Sequence, residues 1–202
     1  IRKTGVVSGV CFGFIGNRML EGYAREVGLM LLEGAAPERI DAIVQGLGFP
    51  MGPNAMIDMA GVDVRAKVIG EARELGILPA DERYEAVTLK LAADGRFGQK
   101  TGAGIFRYEP GNRKPIPDPV VSELIAAEAA RLGVPQREHS DEEILDRCML
   151  PLVNEGSRIL EEGSAFRPGD IDIVWLYGYG FPAFHGGPMP YAAAVGLPKI
   201  LA

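Results

Sequence analysis

The chain has 202 residues, 47% of them hydrophobic and 24% charged, and its 21 Lys and Arg are outnumbered by 27 Asp and Glu, for a formal net charge of −6. That balance argues against a nucleic-acid partner, whose phosphates want a basic face, and the apolar fraction suffices for one good core or two small ones. No run reaches the roughly 20 apolar residues of a bilayer span, so no membrane span is expected.

Ile1-Arg2-Lys3-Thr4 lacks the apolar core of a signal peptide, and Gly5 to Phe12 is a short β-prone stretch leading straight into a helical pattern. It is expected to be the last strand and hinge of a preceding domain, making the chain a piece of a larger polypeptide. The apolar end, Gly196 to Ala202, is expected to be a cut of the same kind.

From Ile15 to Glu33 the apolar positions Ile15, Met19, Tyr23, Val27, Met30 and Leu31 predict a long amphipathic helix closed by Gly34. Pro37 opens a second helix reaching about Gln45. Gly46-Leu47-Gly48-Phe49-Pro50-Met51-Gly52-Pro53 is a tight loop, and Ala55 to Met59, Val62 to Leu75 and Tyr84 to Ala93 read as helices. Arg96 to Tyr108 is a Gly-rich loop with a short extended end. Pro110, Pro115, Pro117 and Pro119 give the segment from Glu109 to Pro119 the composition of a semi-rigid linker, and the domain boundary is placed there. Beyond it, Val120 to Leu132 is helical, Ser140-Asp141-Glu142-Glu143 is a capping box, Ile144 to Glu162 is a second long helix, and another helix follows Pro168 to about Tyr177. A second Gly/Pro loop runs from Gly178 to Pro190. Period-two runs are nearly absent, so the fold class is all-α.

The two halves repeat each other. Asn17 and Asp146 are offset by 129, as are Gly34 and Gly163; Pro37 and Pro168 are offset by 131, Pro50 and Pro182 by 132, Pro53 and Pro188 by 135. An offset growing in loop-sized steps points to a duplicated domain, too long for a solenoid repeat. The expected domains are residues 1–110 and 119–202, the second a degenerate copy truncated at its C-terminus.

Little in the chain carries chemistry of its own. No G-x-G-x-x-G follows a strand, and in Lys100-Thr101-Gly102-Ala103-Gly104 the lysine precedes the glycines, so neither a dinucleotide fold nor a P-loop is present. His139 reads as a solvated loop residue and His185 as a structural corner residue. No hydrolase triad or metal-ligand spacing is legible. Cys11 and Cys148 read as reduced core thiols, which points to a cytoplasmic location. Asn17, in the first turn of an apolar helix, has two readings: a helix cap, or a carboxamide that holds a carbonyl or hydroxyl of a substrate.

Several runs narrow these alternatives: Gly13-Phe14-Ile15-Gly16-Asn17-Arg18-Met19-Leu20, Gly48-Phe49-Pro50-Met51-Gly52-Pro53, Asp58 with Gly61-Val62-Asp63-Val64, and Arg96-Phe97-Gly98-Gln99-Lys100-Thr101-Gly102-Ala103-Gly104-Ile105-Phe106. Together they closely resemble the C-terminal helical domain of L-3-hydroxyacyl-CoA dehydrogenases. The second copy, with Tyr177-Gly178-Tyr179-Gly180-Phe181-Pro182-Ala183-Phe184-His185-Gly186-Gly187-Pro188, resembles the extra helical domain of the multifunctional β-oxidation enzymes. The resemblance implies an NAD-dependent oxidation of L-3-hydroxyacyl-CoA to 3-ketoacyl-CoA in which a Rossmann domain, absent from this chain, binds NAD and carries the catalytic histidine and glutamate. It further implies that Asn17 and Tyr177 bind substrate, that Lys100 reaches the NAD, that no catalytic or metal-binding residue lies in this chain, and that the chain alone is inactive. The partners implied are acyl-CoA, the NAD-binding domain and an enoyl-CoA hydratase/isomerase domain in the parent polypeptide. Asp146 stands where the first copy has Asn17, so the second copy is expected to act as a built-in dimer partner. A competing reading is a freestanding, non-catalytic helical interaction module.

Overall fold

A computed structural model describes residues 3–196. Among these residues the regular structure is helical: α1 (Gly16–Leu32), α2 (Pro37–Gly46), α3 (Pro53–Ala60), α4 (Val62–Glu74), α5 (Ala86–Ala93), α6 (Pro119–Leu132), α7 (Asp141–Glu161), α8 (Pro168–Gly178) and α9 (Pro188–Val195). Five of them open on proline, whose missing N–H costs nothing in a first turn and whose fixed φ suits a helix. The Asp118 carboxylate caps α6 by accepting from the Val120 amide, and Gly133 closes it in the left-handed conformation. Ser140 caps α7, its hydroxyl accepting from the Glu143 amide at 3.1 Å.

Gly5 to Phe12 makes one isolated bridge, Ser8 to Ala165, and leaves Val7 and Val10 exposed. Two expectations are corrected. His139 is buried, not solvated. Its ring nitrogen lies 2.8 Å from the Glu33 carboxylate and its carbonyl accepts from Arg39 at 2.7 Å. α5 starts two residues later than predicted, since Tyr84 is held in a turn by Asp81 and Glu85 is left-handed, with φ 61°. The expected C-terminal truncation falls on residues 197–202, outside the described residues, as do Ile1 and Arg2.

The contacts gather into two compact units, each built from separated pieces of chain. One comprises the described residues up to Ala24, Gly46–Pro50, and those from Leu145 onward. Its centre is aromatic. Trp175 is 1% exposed, stacks on Tyr179 at 4.6 Å between centroids, and meets the edge of Phe181, which in turn contacts Phe49 and Tyr191 edge-on. Met19 is fully buried, and its sulfur accepts from the Trp175 indole N–H at 3.1 Å. At the start of α9 the Asp172 carboxylate accepts from the Met189 amide at 2.9 Å, over Gly187, where any Cβ would collide with it.

The other unit comprises Arg25–Gln45 and Met51–Ile144. In it α3 packs on α4, α4 on α5 and α5 on α6, around Ile69, Leu91, Val121 and other fully buried side chains. Buried carboxylates organise the chain between helices. Asp41 on α2 accepts from the Asn54 and Ala55 amides, each at 2.9 Å, and so caps α3. Asp58 on α3 accepts from the Ile105 and Phe106 amides, both at 2.8 Å, and from the Tyr108 hydroxyl at 3.0 Å. The Gly-rich loop thus wraps a single carboxylate, and a Cβ on Gly98 or Gly104 would strike Asp58 itself. Arg96 anchors the loop by donating to the Gly104 carbonyl at 3.0 Å and to Asp118 at 2.5 Å. The Pro-rich segment lies in this unit, where Arg107 and Ile116 exchange backbone hydrogen bonds of 2.9 and 3.0 Å.

Gly104→Ala is expected to destabilise the chain by about 3 kcal/mol, because the new methyl must push the loop off the buried carboxylate. Urea unfolding checks this, and a loss under about 0.5 kcal/mol contradicts the wrapping account.

Burial pushes Asp41 from 3.8 up to about 6, against the hydrogen bonds that favour its ionised form. Its proton therefore contributes stability that is fully present below pH 3.8 and lost as pH rises through about 6, on the order of 3 kcal/mol for the whole interval. Between pH 4 and 7 the unfolding free energy should fall less steeply with pH in Asp41→Asn than in the wild type.

Candidate functional site

Asn17 lies inside the first turn of α1, its own amide already bonded to the Gly13 carbonyl. Its carboxamide oxygen accepts from the Tyr179 hydroxyl at 2.5 Å, so the side chain is engaged across the unit instead of capping the helix. The approach depends on Gly16, which is buried and whose missing Cβ leaves the space that the Tyr179 ring fills. Burial of Tyr179 raises its hydroxyl above the ordinary tyrosine range, which keeps it a neutral donor at pH 7. Next to Asn17, Arg18 ties α1 to α7, donating to Glu155 at 2.6 Å and to both carboxylate oxygens of Glu162 at 2.6 and 2.9 Å. These bonds hold the Arg18 charge and lower Glu162. The first turn of α1 is therefore fixed on two sides, while Asn17 itself stays exposed.

Tyr177, the tyrosine singled out from the sequence, sits in the last turn of α8 and is 77% exposed. The residue that meets Asn17 is two positions further on. The signal was available: Tyr179 follows the buried Trp175 by four residues, which puts the two on one helix face, whereas Tyr177 falls on the opposite face.

Lys100 belongs to the other compact unit, on a short 3-10 turn (Gln99–Thr101) inside the loop that wraps Asp58. Its ammonium pairs with Asp63 at the start of α4 at 2.5 Å, lowering the Asp63 carboxyl, and lies 5.8 Å from the centre of the Phe97 ring. Both charged groups are substantially exposed, 49% and 40%, so the pair is weak and open to an anionic competitor. Thr101 locks the turn through its hydroxyl, which accepts from the Phe97 amide at 3.0 Å and donates to the Ala103 carbonyl at 3.0 Å.

Cys148 is buried and Cys11 partly so, and neither forms a disulfide. Among the described residues no group of three or more His, Cys, Asp or Glu is placed to hold a metal ion, and no helix is long and apolar enough to cross a membrane.

Residues 13–108 match the family model described as 3-hydroxyacyl-CoA dehydrogenase, C-terminal domain. Over 98% of its length the chain is 42% identical to the peroxisomal bifunctional enzyme of Danio rerio, and over 100% it is 43% identical to that of Homo sapiens; it spans 29% of the length of each. The crystal structure of the dehydrogenase part of multifunctional enzyme 1 from C. elegans superposes with a TM-score of 0.71 at 31% identity, covering 95% of this chain and 42% of that one.

Proposed function

Through residues 13–108 this chain belongs to the 3-hydroxyacyl-CoA dehydrogenase C-terminal domain family, and from that premise we propose that it forms the substrate-side wall of an L-3-hydroxyacyl-CoA dehydrogenase of fatty acid β-oxidation. In this reading it works within a longer polypeptide whose NAD-binding domain supplies the catalytic histidine and glutamate. The observation that carries the proposal is Asn17: an exposed carboxamide in the first turn of an amphipathic helix, held by Tyr179 at its oxygen with its N–H groups left to face outward. Acyl-CoA is the substrate, and an enoyl-CoA hydratase/isomerase domain is a further partner in the same polypeptide.

The reaction converts the C3 alcohol to a 3-ketoacyl-CoA, with the hydroxyl proton passing to a base and the C3 hydrogen leaving as hydride. When bound, NAD supplies the acceptor for that hydride. Asn17 orients the C3 oxygen through an N–H donor, a bond that strengthens as the oxygen becomes electron-rich. Lys100 fits an anionic cofactor, because its ammonium is half-exposed and its bond to Asp63 is exchangeable. In the same proposal Tyr177 contacts the acyl-CoA from the second copy, a role that its exposure at the end of α8 supports.

The division into copies at residues 1–110 and 119–202 belongs to the same proposal. Its support is a shared device. Asp41 caps α3 above Gly52, and Asp172 caps α9 above Gly187; the aspartates are offset by 131 and the capped residues Asn54 and Met189 by 135, as their neighbouring prolines are. The second copy, with Asp146 in place of Asn17, serves as a built-in pairing partner. Cys11 and Cys148, neither of them in a disulfide, fit a reducing compartment, the cytoplasm among them.

Two outcomes test the proposal. The isolated 202-residue chain should not turn over 3-hydroxyacyl-CoA with NAD, since the groups that move the proton and bind the pyrophosphate are assigned elsewhere; measurable turnover contradicts it. In the full-length polypeptide, Asn17→Ala should lower kcat roughly 10²- to 10³-fold, about 3 to 4 kcal/mol, with a smaller change in KM. A variant with wild-type kinetics, whatever its melting temperature, would show that Asn17 has no part in the reaction.

A further inference from the structure

We propose that Tyr179 is a positioning residue for the dehydrogenation: by donating its hydroxyl proton to the Asn17 carboxamide oxygen it fixes that amide as a hydrogen-bond donor toward the substrate oxygen. The inference rests on the substrate-facing role proposed above for Asn17.

A carboxamide has two faces, an oxygen that accepts and an NH2 that donates, and an exposed one can turn over. The C3 oxygen of the substrate begins as a hydroxyl, which donates or accepts, and ends as a carbonyl, which only accepts. Only the NH2 face serves it throughout. An asparagine free to rotate would spend part of its time presenting oxygen to oxygen, and its contribution would fall accordingly. The 2.5 Å bond from the Tyr179 hydroxyl occupies the amide oxygen and leaves the nitrogen outward.

The tyrosine is in turn held on every side that matters. Its ring stacks on Trp175, with centroids 4.6 Å apart and planes 26° from parallel. Trp175 is 1% exposed, and its indole N–H donates to the sulfur of Met19, two residues beyond Asn17 on α1. Asn17, Tyr179, Trp175 and Met19 therefore close a ring of contacts between the start of α1 and the end of α8. Gly16 completes it, for a side chain there would occupy the volume of the tyrosine ring. Burial keeps the hydroxyl protonated, so the donor persists through neutral pH. The sequence run Tyr177-Gly178-Tyr179-Gly180 thus splits its tyrosines between an outward face and this inward one.

Tyr179→Phe removes the hydroxyl and keeps the ring and its stacking. In the full-length enzyme the substitution should lower kcat roughly tenfold, the scale of one lost hydrogen bond, with KM within about twofold and the melting temperature unchanged. In an Asn17→Ala background it should have no further effect, because the tyrosine acts through the asparagine. On the 202-residue chain, the side-chain amide resonances of Asn17, assigned by ¹⁵N NMR, should shift in Tyr179→Phe. Normal kcat in Tyr179→Phe beside an impaired Asn17→Ala overturns this inference and leaves the role of Asn17 standing. A tenfold loss that persists in the double variant overturns it too, since the tyrosine would then act on the substrate directly. Unmoved Asn17 amide resonances contradict the bond itself. Wild-type kinetics in Asn17→Ala would remove both proposals together.

Discussion

The carboxylate of Asp58 is the constraint on which most of the second compact unit depends. A buried charge without partners costs several kcal/mol, and Asp58 meets that cost with two backbone amides and a phenol drawn from a single loop. Burial still pushes its carboxyl upward despite those bonds, and burial, together with the nearby carboxylate, drives the Tyr108 hydroxyl far above the ordinary range. A loop of 13 residues from Arg96 to Tyr108, with three glycines and a single short 3-10 turn, acquires one conformation by closing around one side chain. Lys100 inherits its position from that closure, as it sits on the turn between Gly98 and Gly104, both pressed against Asp58.

Asp41 and Asp172 work by the same physics on a smaller scale. Each leaves its own helix to satisfy amides at the start of another, and each lies over a glycine that admits no side chain. The first turn of a helix exposes N–H groups that lack helical partners, and a carboxylate from a neighbouring helix satisfies them while fixing where that helix begins. In the unit of Asp41 and Asp58, Glu85 is buried and left-handed at the start of α5, where it pairs with Arg65 and accepts from the Thr88 hydroxyl at 2.7 Å. Around Asn17 the means are different. Aromatic stacking and a sulfur acceptor hold the tyrosine, and a doubly bonded arginine holds the helix, so the polar side chain at the surface stands on a rigid support.

Most of the helices were legible because their apolar residues recur at helical spacing and because proline and glycine mark their ends. Met19, Tyr23, Val27 and Met30 are all buried, as their spacing required. Less legible were the residues whose partners are remote. His139 reads as an ordinary loop residue, yet it is buried against Glu33, a partner 106 positions away.

The sequence by itself determined the helical class, the start and stop of most helices, and the repeated pattern of prolines and glycines, because these depend on local spacing and on short motifs. Only the tertiary structure decided which tyrosine reaches Asn17, which carboxylates lie buried, and why the glycines at 16, 98 and 104 admit no substitute. Those outcomes depend on which atoms approach one another from distant parts of the chain, and a hydrogen bond or a steric collision of that kind leaves no periodic trace in the order of residues.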